Sequence, residues 1–453
     1  MKKTSHCRAC GSTALSPAFS LETATEPSGR RRVFQPRSQA IDYVICDSSR
    51  DVQACGLVQK GVTGEETAGH LPSGTHRATR SHLRAIATEA LELISGRDCT
   101  ALDIGCSDGT LLSFYPRWVE RVGVDPGDQV NEVGPWATCL QGTFPSANLD
   151  AHMGERKFDI ITAISVLEEV DEPRAFLARI KSMLAADGVC VLETLYAPIT
   201  LTQTVLSAVY ERKSGLYSLA VLERLLRDCD LKIFKGALSD KDGGSVRLFI
   251  THTDVEDYDF DPWYERLARL WDEENALALR SIAPYQAFEQ RVLNARESYG
   301  EMMEGIKRRG ETVHIIGTTA GEIELFNWAG NANTVIEAAI SHKEAPADAR
   351  LGRNGPPIIT EAAARAVEPD YFIAPAYLKR EMLERWRDSI MRGARMIFVT
   401  PDPHEVHSGN YAAEYGKALA GGDSAGGVET LRAILGAASG PRLVVNRAAG
   451  ASG

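Results

Sequence analysis

The sequence predicts an α/β protein in three parts: a small cysteine-bearing head, a central unit and a second α/β unit at the C-terminal end. Three observations predict it. Four cysteines, Cys7, Cys10, Cys46 and Cys55, fall in the first 60 residues, in a segment without a long periodic apolar stretch. From about residue 80, short apolar runs alternate with helical periodicity, the pattern of a parallel sheet covered on both faces. After a stretch rich in Glu, Arg, Leu and Ala, the alternation begins again at Thr312. The boundaries follow: 1–62 head, 75–252 central Rossmann-like domain, 253–310 helical connector, 311–453 second Rossmann-like domain.

In chain order, Leu83, Ile86, Ala90, Leu91 and Ile94 share one helical face. A strand from Thr100 to Ile104, a glycine-rich turn, a helical stretch from Thr110 and a strand from Arg121 to Asp125 come next. Asp159 to Ser165 reads as a buried strand. Phe176, Leu177, Ile180, Met183 and Leu184 form an amphipathic helix stopped near Asp187-Gly188, before a strand from Val189 to Glu193. The acidic stretch Asp254 to Asp261 is a solvated surface. The second series has strands at Thr312–Ile316, Thr334–Ile340, Tyr371–Ala374 and Met396–Val399, with helices at 320–329 and 378–392. Leu419 to Gly427 reads as a Gly-rich linker, followed by a short helix, a strand from Arg442 to Asn446 and a tail.

A chain of 453 residues is too long for one core. Its 44% hydrophobic and 25% charged residues exclude wholesale disorder. Fifty basic against 61 acidic side chains, a formal charge of −11, argue against a nucleic-acid partner, which needs a cationic surface. No run approaches 18 apolar residues, so no membrane span is expected. The polar start, Met1 to Cys7, lacks the apolar stretch of a signal peptide, and the expected location is cytoplasmic. Cys99, Cys106, Cys139, Cys190 and Cys229 stand singly and read as core packing.

The strongest local signal is Ala101-Leu102-Asp103-Ile104-Gly105-Cys106-Ser107-Asp108-Gly109-Thr110. An apolar strand ending in acid-x-Gly-x-x-x-Gly leaves room for backbone to approach a ligand, and a following helix would supply unpaired amides. Twenty-two residues beyond Asp103, at the end of the next strand, stands Asp125, followed by Pro126. A carboxylate there accepts the hydroxyls of a ribose. The loop lacks the GxGxxG pattern of a pyrophosphate site, which tilts the ligand from NAD to an adenosine without pyrophosphate, with S-adenosylmethionine the natural candidate. Ser165 and Val166 then lie beside its adenine and methionine portions, and Phe144 covers the base.

Cys7-x2-Cys10 can bind one metal through a tight knuckle, and Cys46-x8-Cys55 can complete a tetrahedral site. Zinc would replace the core this segment lacks. Four protein ligands leave no open position, so the site reads as structural. His6 is a candidate substitute ligand.

The head ending Cys55-Gly56-Leu57-Val58-Gln59, the Ile104 to Leu112 loop, Val124-Asp125-Pro126, Gly243-Gly244-Ser245-Val246-Arg247 and the segment Tyr210 to Leu219 together resemble the zinc-containing, S-adenosylmethionine-dependent C-methyltransferases of deoxysugar biosynthesis. Gly352 to Ile359, Pro369-Asp370-Tyr371 and the helix at Glu381 match more loosely. The resemblance runs in order over nearly the whole chain. It implies a zinc head, a central cofactor domain, a C-terminal domain completing the substrate site, and a nucleotide-linked 4-keto deoxysugar as acceptor in antibiotic or other natural-product biosynthesis.

The chain also departs from the family. Where the family reads Tyr-His-Glu-His, this sequence has Tyr210-Glu211-Arg212-Lys213; Ser218 is kept, Glu169 replaces a histidine, and Gly-Tyr-Gly-Ala has become Gly317-Thr318-Thr319-Ala320. Methylating carbon beside a ketone needs an α-proton removed and an enolate oxygen stabilised. A histidine with a pKa of about 6.5 suits the first task, whereas a lysine of about 10.4 is protonated unless strongly perturbed. Two assignments stay open: Lys213 as base under pressure from Arg212, or Lys213 and Arg212 as cations holding the enolate while Glu169 or Glu211 takes the proton. Tyr210 is the expected enolate-side donor. Methylation at oxygen or nitrogen, another S-adenosylmethionine reaction, and a non-catalytic cofactor-binding partner are the alternatives. The acceptor's identity and the oligomeric state are not legible.

Overall fold

The computed structural model describes residues 2–24, 38–63, 77–94, 99–146, 151, 153–210, 213–341, 348–352 and 355–422. Glu211 and Arg212, and the strand expected at Arg442 to Asn446, lie outside the described residues.

In the head, β1 (Leu15–Ala24), β2 (Ser38–Cys46) and β3 (Val58–Lys60) form an antiparallel sheet whose edge is completed by a distant two-residue strand, Gly215–Leu216. Gly215 pairs with Gln59 and Leu216 with Val58, so the segment aligned with the family's catalytic stretch is stitched to the head. The head also shares buried side chains with its neighbours: Cys46, Cys55 and Leu57 belong to the main core of the central domain.

The central domain is a seven-stranded sheet. In chain order its strands are β4 (Cys99–Ile104), β5 (Val119–Asp125), β6 (Thr138–Gln141), β7 (Phe158–Ile164), β8 (Leu184–Leu195), β9 (Leu231–Ser239) and β10 (Ser245–His252). The spatial order is β9-β10-β8-β7-β4-β5-β6, with β10 antiparallel to both neighbours. The chain leaves β4 towards β5 and β6, then returns to β7 on the other side, so the ends of β4 and β7 part. Open α/β sheets bind ligands outside the strand ends at such a switch point. The helix α1 (Arg77–Glu92) covers one face through Leu83, Ile86 and Ala90. The helix α2 (Pro173–Met183) covers the other through Phe176, Leu177 and Ile180, as their spacing predicts.

Two expectations are corrected here. The helical stretch from Thr110 is only a 3-10 turn, Leu112–Phe114, because Pro116 removes a donor at once and Tyr115 is already extended. The helix expected to run to Asp187-Gly188 stops at Met183, and β8 starts at Leu184 with a register shift before Val189.

Two helices, α3 (Asp261–Ala276) and α4 (Ala283–Arg309), make the connector. The second sheet is β11 (Val313–Ile316), β12 (Ile336–Ser341), β13 (Ile358–Thr360), β14 (Tyr371–Ala374), β15 (Arg395–Phe398) and β16 (His404–Val406). Its order, β13-β12-β11-β14-β15-β16, again parts at the first strand. The expected strands at 312–316, 334–340, 371–374 and 396–399 are present within two residues. The helix expected at 378–392 is broken at Trp386 into Lys379–Arg385 and Arg387–Arg392. Leu419, expected in a linker, lies in a closing helix, Tyr411–Gly422. Among the described residues no helix is long and apolar enough to cross a membrane.

Candidate active site and metal centre

The turn after β4 is held by backbone. The Gly105 amide donates to the Val124 carbonyl at 2.8 Å, and Gly109 donates to Cys106 at 2.8 Å. Both glycines need their lack of a side chain. Gly105 has φ +79°, and a Cβ there would meet Val166 Cγ2 at 2.5 Å; Gly109 has φ +72°, with Val133 and Trp136 over it. Ser107 (φ 50°), Ser165 (φ 58°) and Asp242 (φ 53°) also adopt left-handed conformations. Such strain persists only where the surroundings enforce it, and it concentrates at functional sites.

Asp125 is oriented by two amides: Ser107 N donates to Oδ2 at 2.9 Å and Gly127 N to Oδ1 at 2.7 Å. Each oxygen keeps a lone pair for a ribose hydroxyl. Pro126 carries the chain from Asp125 into a 3-10 turn, Asp128–Glu132. Asp108 is turned into its own loop, accepting from Thr110 N at 3.2 Å and Thr110 Oγ1 at 2.6 Å. Asp103 does not flank the crevice as a second grip. It is buried and accepts from Thr162 Oγ1 at 2.6 Å, and burial pushes its carboxyl up to about 7. It holds β4 to β7. Phe144 stands half-buried after β6, its ring edge-on to Phe176 at 5.4 Å.

A charged cluster surrounds Lys213. Lys213, buried at 6% exposure, approaches Glu169 Oε1 at 3.0 Å and Glu168 Oε1 at 3.8 Å. Burial raises the Glu168 carboxyl, against the pull of Lys213 and of Thr194 Oγ1, which donates to it at 2.7 Å. Two carboxyl groups thus stand beside Lys213 Nζ. Asp242 accepts from Ser165 Oγ at 3.1 Å. Burial opposes its ionisation, but the paired Lys241, Lys213 and the Ser165 hydrogen bond hold it low. Ser218, kept from the family pattern, caps the helix Leu219–Arg227 by accepting from Val221 N at 3.3 Å.

Tyr210 is not brought to Lys213. Its hydroxyl donates to the Glu22 carbonyl at 3.4 Å, its ring meets Trp328 edge-on at 6.1 Å, and burial pushes the phenol up. It fastens the head to the second domain. Sequence reasoning missed Glu168, Asp242 and Lys241. The signal for Asp242 was the Gly243-Gly244 pair after it, since a Cβ on Gly244 would strike Ile199 at 2.1 Å.

A second crevice of about 670 Å3 opens outside β11, β14 and β15, lined among others by Leu206, Glu322, Tyr377 and Lys379. The Asp242-Gly243 turn borders it. On one side Asp242 touches Ser165; on the other, a Cβ at Gly243 would meet Val205 at 2.7 Å and Tyr377 at 3.2 Å.

In the head, the sulfurs of Cys7, Cys10, Cys46 and Cys55 all lie within 4.8 Å of one another. Cys7 and Cys55 are 3.5 Å apart, as are Cys10 and Cys46. A tetrahedron with Zn–S bonds of ~2.3 Å places its sulfurs about 3.8 Å apart, so the set fits a closed metal site. The wide Cys46-x8-Cys55 spacing is closed by Gly56, at φ +86°, whose amide returns to the Cys46 carbonyl at 3.1 Å. Hydrogen bonds from Cys55 and Cys7 pull the Cys46 thiol to about 2, while the bond to Cys46 pushes Cys7 up to about 12. His6 is exposed and outside the sulfur set. Arg8, inside the knuckle, donates through NH1 to the Ser214 carbonyl at 2.7 Å.

Residues 75–235 match the family model described as a methyltransferase domain, and residues 240–401 match the one described as a C-methyltransferase C-terminal domain. The ubiquinone biosynthesis O-methyltransferase of Azorhizobium caulinodans is 35% identical over 103 residues, 21% of this chain and 39% of that protein. The protein of the same name from Psychrobacter cryohalolentis is 34% identical over 104 residues, 21% of this chain and 40% of that protein. The chain therefore spans about two fifths of the length of the curated relatives it matches. Among solved structures, an S-adenosylmethionine-dependent methyltransferase from Clostridium acetobutylicum aligns with TM-score 0.32 and 12% identity, over 38% of this chain and 92% of that one. The 1,6-didemethyltoxoflavin-N1-methyltransferase of Burkholderia thailandensis aligns with TM-score 0.31 and 16% identity, over 44% and 96%.

Proposed function

From a methyltransferase domain in tandem with a C-methyltransferase C-terminal domain, we propose that this chain is an S-adenosylmethionine-dependent C-methyltransferase of a small carbonyl-bearing acceptor, a nucleotide-linked keto-deoxysugar of natural-product biosynthesis. The observation that supports the reading is the Asp242-Gly243 turn: Asp242 accepts from Ser165 at the end of β7, while Gly243 packs on Val205 and Tyr377, which line the second crevice.

S-adenosylmethionine, when bound, supplies an electrophilic methyl on a sulfonium. Gly105 and Gly109 give it room, and Asp125 orients its ribose. Of the two assignments left open for proton transfer, the geometry favours Lys213 as a cation over Lys213 as a base. Glu169, the less buried of the two acids, takes the acceptor's α-proton, and the Lys213 ammonium stabilises the resulting enolate oxygen. Glu168, fully buried, positions Lys213 and accepts from Ser214 N through its carbonyl. The four-cysteine head holds a structural zinc.

Incubation with methyl-labelled S-adenosylmethionine and a set of nucleotide 4-ketosugars should give a product one CH2 heavier, with equimolar S-adenosylhomocysteine. Absence of any product with a metallated, cofactor-binding protein would sink this acceptor class. Oxygen methylation, the activity in the curated relatives' names, needs no carbon acid; a Lys213→Met protein with full turnover would favour it.

A further inference from the structure

Of the cysteines outside the head, the fold brings Cys106 and Cys139 together beside the cofactor turn. Cys106 belongs to the turn itself, and its amide donates to the Val124 carbonyl at 3.2 Å. Its side chain lies over β5 in the space left by Gly123: a Cβ there would meet Cys106 Sγ at 2.6 Å and Cys106 Cβ at 3.0 Å. Cys139, on β6, is the register partner of Gly123. Paired residues project from the same face of a sheet, on strands ~4.8 Å apart. The Cys139 side chain therefore stands beside the Cys106 sulfur on that face, and the two thiols hydrogen-bond.

The pair is asymmetric in a way that suits oxidation. Cys106 is buried, whereas Cys139 is half-buried on the edge strand of the sheet. The hydrogen bond between them pushes the Cys106 thiol up and pulls the Cys139 thiol down. The thiolate is the nucleophile, so Cys139 attacks an oxidant and Cys106 resolves.

We propose that Cys106 and Cys139 form a dithiol that a hydroperoxide converts to a disulfide, tying the cofactor turn to the edge strand and weakening cofactor binding. With hydrogen peroxide, the Cys139 thiolate attacks one oxygen and breaks the O–O bond, and the departing hydroxide takes up the thiol proton as water. The Cys106 sulfur then displaces hydroxide from the resulting sulfenic acid, forming the S–S bond, and its proton leaves with that hydroxide as a second water. The two electrons lost by the sulfurs reduce the peroxide. Ser107, the next residue, holds Asp125 Oδ2 through its amide at 2.9 Å, so drawing Cys106 towards β6 disturbs the ribose grip. The inference rests on reading this turn as the cofactor's seat.

The full metallated chain, reduced and then treated with hydrogen peroxide, tests it. Alkylation, trypsin digestion and tandem mass spectrometry should show the peptides holding Cys106 and Cys139 joined, with the mass of two hydrogens lost. S-adenosylhomocysteine affinity should fall by at least about fivefold, the worth of one hydrogen bond, and return with dithiothreitol. A Cys139→Ser protein should bind as the reduced wild type does and keep its affinity in peroxide, while a chromogenic chelator that reports released zinc separates this effect from oxidation of the head. An equal loss of affinity in Cys139→Ser would overturn the proposal, as would a joined pair with unchanged affinity or no joined pair at all. Failure of the reduced wild-type chain to bind S-adenosylhomocysteine would instead defeat the methyltransferase reading, and the joined peptides would still decide the dithiol site.

Discussion

Gly105→Ala is the sharpest test of the cofactor crevice, because two separable penalties meet at one atom. The backbone at Gly105 has φ +79°, which costs an L-residue roughly 1–2 kcal/mol. The added methyl would sit 2.5 Å from Val166 Cγ2, well inside contact, and overpacking of this kind costs about 1–3 kcal/mol. The total, about 2–5 kcal/mol, falls on the turn that the cofactor must enter. Calorimetric titration with S-adenosylhomocysteine should show affinity reduced by at least about thirtyfold, since ~1.4 kcal/mol is a factor of ten. A Gly105→Ala/Val166→Ala protein removes the clash but not the φ penalty, so it should recover part of the loss. Wild-type affinity in Gly105→Ala, or no recovery at all in the double variant, would refute the reasoning that Gly105 and Val166 together shape the crevice.

Lys213→Met should cut turnover about a hundredfold or more while leaving S-adenosylhomocysteine affinity within about twofold, the separation expected of a group that stabilises developing charge. Asp103 offers a pH test. Its folded carboxyl is raised from 3.8 to about 7, so between those values the folded state holds a proton that the unfolded state has lost. Stability should therefore be greatest below pH 4 on this account and decline as pH rises to 7, by up to ~4 kcal/mol. Thermal melts of Asp103→Asn, which keeps an acceptor for Thr162, should show a flatter profile over that range. For the head, metal analysis should find about one zinc per chain, and Cys10→Ser should lower it and reduce the melting temperature.

Much of this was legible because the relevant signals are local. The strands at Cys99–Ile104, Val119–Asp125 and Phe158–Ile164 announce themselves as short apolar runs, and the glycine turn between the first two carries its own reason for lacking side chains. The four cysteines converge as their knuckle spacing implied, although the x8 arm needed Gly56 to close it. What stayed hidden depends on distant segments. Nothing near Asp103 says that Thr162, 59 residues on, would draw its carboxyl inward. Tyr210 and Lys213 are three residues apart in the sequence, yet their side chains have different neighbours. One faces Glu22 and Trp328, the other Glu168 and Glu169. β9 and β10, far along the chain, carry Asp242 beside Ser165, with Lys241 paired to it.

The Arg8 guanidinium has a wider consequence. It grows from the cysteine knuckle and grasps the carbonyl of Ser214, the neighbour of Lys213, while the head's edge strand clasps Gly215 and Leu216. Metal starvation or thiol damage should therefore displace Lys213 while leaving the Asp125 turn in place, an outcome in which S-adenosylhomocysteine still binds but turnover is lost.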